Sequence, residues 1–269
     1  MKKVALITIH GMGKIKPNYY EDIESALKQR LAESWDEIAF RPVQYQHILQ
    51  GPQEELWQQM LAELSNDLDL IRLRQFLLYS FGDAGSLEYS AKTDGIKYCD
   101  IQREIRNGID RVYDDFGGDT SRPIVVVANS LGCQVISNYL WDAQHDCYLF
   151  AEDQDCPENK KKFRQLESMT NLITTGCNMP LFSAGLSERR CFAKPNAEFV
   201  WDNYYDPDDI LGWPLRQLGP TYEIVNDHAI NAGGIISSWN PLSHTAYWSD
   251  NDVVKPLAEI LKRKIEGEF

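Results

Sequence analysis

One nine-residue stretch limits the fold of this chain more than any other: Val125-Val126-Val127-Ala128-Asn129-Ser130-Leu131-Gly132-Cys133. The β-branched run Ile124 to Ala128 reads as a strand buried on both faces, and a helical pattern from Leu131 to Leu140 begins at once. The chain must therefore reverse from strand to helix at Ser130. Such a tight turn requires small residues two before and two after it. Ala128 and Gly132 meet that requirement, Ala128 standing where glycine is more usual.

The same alternation recurs along the chain. Val4–Ile9 is a short apolar run, expected as a buried strand. A helix is expected over 18–34, with Ile23, Ala26, Leu27 and Leu31 on one stripe. Ile38 to Tyr45, Leu172–Thr175 and Phe199–Tyr204 read as further strands, and Val253 to Ile265 as a closing helix. Strands alternating with helices predict an α/β fold, a mostly parallel central sheet with helices on both faces. At 269 residues this is one domain, 1–269.

Two stretches break the alternation. Pro52 to Phe81 is crowded with apolar residues, among them Trp57, Met60, Leu68, Leu73 and Phe76, and reads as one or two helices. With the expected loop Gly82 to Gly95 it forms a candidate cap insertion, 52–95, the alternative being that its helices simply extend the core. Asp142 to Gln165 is polar and reads as a solvated excursion.

The formal net charge is −13, from 27 Lys+Arg against 40 Asp+Glu. So acidic a surface repels phosphate backbones and anionic headgroups, so nucleic acid and stable membrane insertion are not expected partners. No run of 18 apolar residues is present. Lys2-Lys3 before Val4–Ile9 imitates a leader, but six apolar residues ending at His10-Gly11 read better as a strand. The six cysteines form no C-x-x-C pair, which suggests free thiols and a cytoplasmic location.

A serine at a strand–helix turn is either a plain N-cap or a nucleophile set at the strand's C-terminal end, facing the helix dipole. His10-Gly11-Met12-Gly13, directly after the first strand, can bring backbone amides close to a ligand. Read with the elbow, the Met12 and Leu131 N–H groups form an oxyanion hole, and His10 and Gly11 line the substrate. Where such an elbow is used, acid and base follow the serine in chain order. His228 and His244 then remain as bases, with His244, in a polar loop before the last helix, the better placed. Asp206, Asp208 and Asp209 compete for the acid.

This order of motifs resembles the α/β-hydrolase superfamily of lipases and esterases, nearly end to end. Two segments are similar to DDHD-domain phospholipases: Asp209-Ile210-Leu211-Gly212-Trp213-Pro214-Leu215 to their Asp-Pro-Val-Ala-Tyr-Arg-Leu, and His244-Thr245-Ala246-Tyr247-Trp248 to their His-x-x-Tyr-Trp. The resemblance implies a serine esterase with the triad Ser130, His244 and Asp209, no cofactor or metal, and a small-molecule or lipid-like ester as substrate. Pro214 stands where that family has arginine, so phospholipid specificity is not implied. Two rivals remain: a metal-dependent phosphoesterase using Asp206, Asp209, His244 and Asp252, and a non-catalytic binding module on the same fold.

Overall fold

A computed structural model describes the backbone of residues 1–64, 70–93, 95–232 and 243–268. It describes the side chains of these residues except Glu63, Leu64, Tyr89, Glu152, Asp153, Gln154, Asp155, Ser243, His244 and Thr245. In chain order the elements are β1 (Val4–Ile9), α1 (Glu21–Leu31), β2 (Ile38–Val43), α2 (Gln46–Leu64), α3 (Ile71–Lys92), α4 (Ile96–Asp115), β3 (Ile124–Asn129) and α5 (Leu131–Gln144). There follow α6 (Glu158–Arg164), β4 (Met169–Thr175), α7 (Met179–Ser183), β5 (Val200–Tyr205), β6 (Val225–Ala229) and α8 (Asn251–Glu266).

The strands form one six-stranded sheet among the described residues, in the order β2-β1-β3-β4-β5-β6, with every pair parallel. The chain steps from β1 one way to β2, then returns past β1 to β3 and continues the other way. Right-handed crossovers put the helices of the two directions on opposite faces. Side chains of β1 and β3 accordingly alternate between two cores. Val4, Leu6, Val125 and Val127 pack with Ile23 and Leu27 of α1 and Leu257 and Leu261 of α8. Ala5, Ile7, Val126 and Ala128 pack with Ile101 and Ile105 of α4 and Val135 and Ile136 of α5. The expected α/β architecture, parallel sheet with helices on both faces, is the one observed.

Four elements differ from the sequence reading. Residues 96–115, unassigned above, form α4, whose Ile101, Ile105, Ile109 and Val112 are fully buried at helical spacing. Gly82 to Lys92, expected as loop, continues α3, because Gly82 lies against the Gln53 side chain and packing overrides its poor helix propensity. The 142–165 stretch is not simply solvated: Leu149, Phe150 and Phe163 are buried, and Phe163 lies on α6. The edge strand β6 (VNDHA) is too polar to read as a strand. No described helix is long and apolar enough to cross a membrane, and all six cysteines are free thiols.

The α4 seam gives a test of the packing. Ile105→Ala should cost about 2–5 kcal/mol. The same change at the exposed Ile96 on the same helix should stay within about 0.5 kcal/mol. Urea unfolding of the two variants measures both.

Candidate active site

The sheet's order reverses between β1 and β3, and in open parallel sheets the crevice outside the strand ends at such a point is where ligands bind. The two sequence motifs emerge there. Residues His10 to Gly13 leave β1, and Ser130 leaves β3. Ser130 holds φ +54° and ψ −123°. A non-glycine residue in this region stores about 1–3 kcal/mol of strain and persists only where its surroundings enforce it. The enforcing contacts come from β4. The Ser130 N–H donates to Thr175 O at 2.9 Å, and Asn129 Nδ2 donates to Thr175 Oγ1 at 3.1 Å. Ser130 occupies the N-cap of α5, yet its side chain makes no capping bond, so the plain N-cap reading does not hold for its hydroxyl.

The flanking glycines are dictated by close approach. A Cβ on Gly132 would lie 2.5 Å from His10 O and 2.8 Å from Ile9 O. A Cβ on Gly11 would lie 2.6 Å from Ser130 Cβ. The β1 loop and the elbow therefore cross with no space for side chains between them. The Leu131 amide, first in α5, has no intrahelical acceptor. The Met12 backbone lies in the crossing loop, its side chain packed in the core.

The His10 imidazole is turned into the protein. Its ring stacks on Tyr45 at 4.0 Å, its Nε2 accepts from the Tyr45 N–H at 3.2 Å, and its Nδ1 lies 2.8 Å from Gly11 O. These partners require a neutral ring with the proton on Nδ1, and burial pushes its pKa down to about 4. Tyr45 Oη also donates to His10 O at 2.8 Å. The ring therefore braces the loop from behind.

The loop is also held from α2 and α3. Asp83 Oδ2 accepts from the Gly13 N–H at 2.8 Å, Gln53 Nε2 donates to Asp83 Oδ1 at 2.8 Å, and Gln50 Nε2 donates to Gly13 O. The helical insertion thus touches the loop at the strand ends. Of the apolar residues singled out there, Trp57 is buried and Phe76 packs on the core, while Met60 and Leu73 are exposed. Leu73, Leu77 and Phe81 form an exposed stripe along α3, and the Phe81 ring meets Phe182 of α7 at 6.3 Å. Leu68 lies outside the described residues.

The carboxylates of the acidic loop after β5 have different partners. Asp206 is consumed by the backbone: Oδ1 accepts from Asp208 N–H and Oδ2 from Ala232 N–H, each at 2.8 Å. Asp208 is exposed. Buried Asp209 accepts from the Leu211 N–H at 3.0 Å and, through Oδ2, from Tyr247 Oη at 3.0 Å. Tyr247 Oη in turn accepts from the Asp206 N–H at 2.9 Å. Tyr247 belongs to the 3-10 turn Ser243–Trp248, which also carries His244; the His244 side chain lies outside the described residues. His228 is not brought to Ser130. Its Nε2 lies 2.9 Å from Asp202 Oδ1 and its ring stacks on Tyr204, on a strand about 14 Å across the sheet from β3 at about 4.8 Å per strand. Among the described residues, no group of three or more His, Cys, Asp or Glu could hold a metal ion.

The sequence reading passed over two residues here. Asn178, fully buried in the loop after β4, points Nδ2 at Ser130 Oγ, 3.4 Å away. The only sequence signal for it is its place just past the strand next to β3. Asp83, 70 residues from Gly13, has no local signal at all.

Asp83 yields a pH test. Burial pushes its carboxyl up from 3.8 to about 6. A carboxyl raised in the folded state holds its proton more tightly there than in the unfolded chain. This contribution to stability therefore declines as pH climbs from about 4 to about 6 and is level above. Asp83→Asn keeps the shape and removes the titration. The difference in Tm between wild type and variant should fall across that window; a flat difference would disprove the assignment.

No protein-family model matches the chain, and no curated protein matches it in sequence. The DDHD resemblance therefore rests on its short motifs alone. Among solved structures, an acetyl xylan esterase in an iodinated complex is similar over 98% of this chain and 99% of its own, at 12% identity and a TM-score of 0.41.

Proposed function

We propose that this chain is a serine hydrolase that cleaves carboxylic esters through an acyl-enzyme. Ser130 is the nucleophile, His244 the general base and Asp209 the carboxylate that orients it. The N–H groups of Met12 and Leu131 receive the oxyanion. The carrying observation is Ser130 itself: strained to φ +54°, free of the capping bond its position offers, and enclosed by Gly11 and Gly132. Strain of this kind serves a purpose when it holds a reacting group.

The reaction runs in two steps. His244 removes the Ser130 proton as Oγ attacks the ester carbonyl, and the oxyanion collapses with loss of the alcohol, which takes that proton. Water then hydrolyses the acyl-enzyme with the same base. Asp209 is preferred over Asp206 because its Oδ2 meets the turn that carries His244 through Tyr247, whereas both Asp206 oxygens hold backbone amides. His10 and Gly11 serve the substrate by shaping the loop: the imidazole is committed internally, and Gly11 leaves room beside Ser130. The 52–95 insertion acts as a cap, since it grips the Gly13 loop. The exposed stripe Leu73, Leu77 and Phe81, reaching Phe182, favours a lipid-like or otherwise apolar ester.

Ser130→Ala should keep its circular dichroism spectrum and lose both p-nitrophenyl ester turnover and labelling by a fluorophosphonate. Turnover at the wild-type rate would defeat the serine mechanism.

The two aspartates should separate. Asp209→Asn should lower kcat by about 10³–10⁴-fold, the scale for a base left in the wrong tautomer. Asp206→Asn should chiefly lower Tm, because one of the two backbone amides it holds loses its acceptor and faces an NH2 donor instead. Steady-state kinetics and thermal melts on both variants check this; the reverse pattern would exchange the roles.

A further inference from the structure

We infer that the Asn178 carboxamide is a catalytic donor to the oxyanion, a third one beside the amides of Met12 and Leu131; this rests on the serine-hydrolase reading. Asn178 is fully buried where the chain leaves β4, the strand next to β3. Its Nδ2 has two near partners, Ser130 Oγ at 3.4 Å and Met12 Sδ at 3.5 Å. One belongs to the nucleophile and the other to a residue of the oxyanion loop, so the N–H group sits between the two parts of the site. Its other end, Oδ1, is buried with no hydrogen-bond partner among the described residues. Asn178 also stands at the N-cap of α7 without capping it.

The large majority of buried side-chain amide atoms are paired, and one left unpaired calls for a reason. Among the described residues this one pairs neither end with the backbone, and it turns its donor to the nucleophile. In the resting state the bond to Oγ is long. When Oγ attacks, it becomes an ester-type oxygen and a poorer acceptor. The negative charge appears on the former carbonyl oxygen, one carbon away. A donor between Oγ and the Met12 loop can then turn to that oxygen, so its hydrogen bond is stronger in the transition state than in the ground state.

The test uses the full chain, with Asn178→Ala and the near-isosteric Asn178→Asp. On p-nitrophenyl acetate, kcat should fall by about 10²–10³-fold with KM changed less than about threefold. The second-order rate of fluorophosphonate labelling should fall in parallel. A trifluoromethyl ketone, which forms an oxyanion on Ser130, should lose affinity by the same factor as kcat/KM. A merely structural residue would not couple those quantities. Wild-type kcat in Asn178→Ala, a rise in KM alone, or an unchanged ketone affinity would overturn the proposal. If the alanine variant does not fold, Asn178→Asp decides; failure of both to fold would make Asn178 a residue of the fold and likewise overturn it. Ser130→Ala runs alongside: turnover there removes the hydrolase reading, whereas a dead Ser130→Ala beside active Asn178 variants removes this inference only.

Discussion

The backbone at Ser130 is the constraint on which the rest depends. A strand buried on both faces meets a helix with no loop between them, and one residue takes the whole reversal at a positive φ. That conformation costs free energy locally, so the neighbours must over-determine it. Thr175 of β4 takes the Ser130 and Asn129 donors on one side. On the other side the β1 loop passes so close that Gly11 and Gly132 admit no Cβ. The elbow is thus clamped between its two neighbours in the sheet, and the parallel register of β1, β3 and β4 sets the clamp.

The loop after β1 is held with equal care. His10 is withdrawn into the core as a neutral ring against Tyr45. Asp83, from a helix far away in sequence, fixes the Gly13 N–H. A carboxylate buried at such a place carries a desolvation cost, which shows in its raised pKa. Its hydrogen bonds to Gly13 and Gln53 offset part of that cost and make the α2–α3 insertion continuous with the loop. Anything that moves those helices moves the β1 loop with them.

Beyond β5, one tyrosine hydroxyl organises the acidic loop. Tyr247 Oη accepts from the Asp206 backbone and donates to the Asp209 carboxylate. Asp206 ties the same loop to the chain after β6 through Ala232. Two carboxylates three residues apart therefore have different work, one engaged with backbone amides and one facing the turn Ser243–Trp248. Burial drives the Tyr247 phenol well above its ordinary range, with the Asp209 charge acting in the same direction. It stays protonated and remains a donor to Asp209.

The elements whose side chains repeat with a clear period are legible in the chain alone. The valine run of β3, the small residues around Ser130, the apolar β1 and the stripe of α8 are all legible, because buried strands and amphipathic helices impose local patterns. The isoleucine spacing of α4 carries the same signal. The sequence placed Ser130 and Gly11 correctly at strand ends, since strand-to-helix turns and glycine contacts are matters of near neighbours. It carries no trace of the different partners of Asp206 and Asp209, distant backbone amides for the one and Tyr247 for the other. It did not find β6, whose polar residues suit a sheet edge, nor Asp83 and Asn178, whose partners lie 70 and 48 residues away. Those were decided by the tertiary structure, because hydrogen bonds between remote segments leave no periodic trace in a chain. Only the order of strands in the sheet brings their ends together.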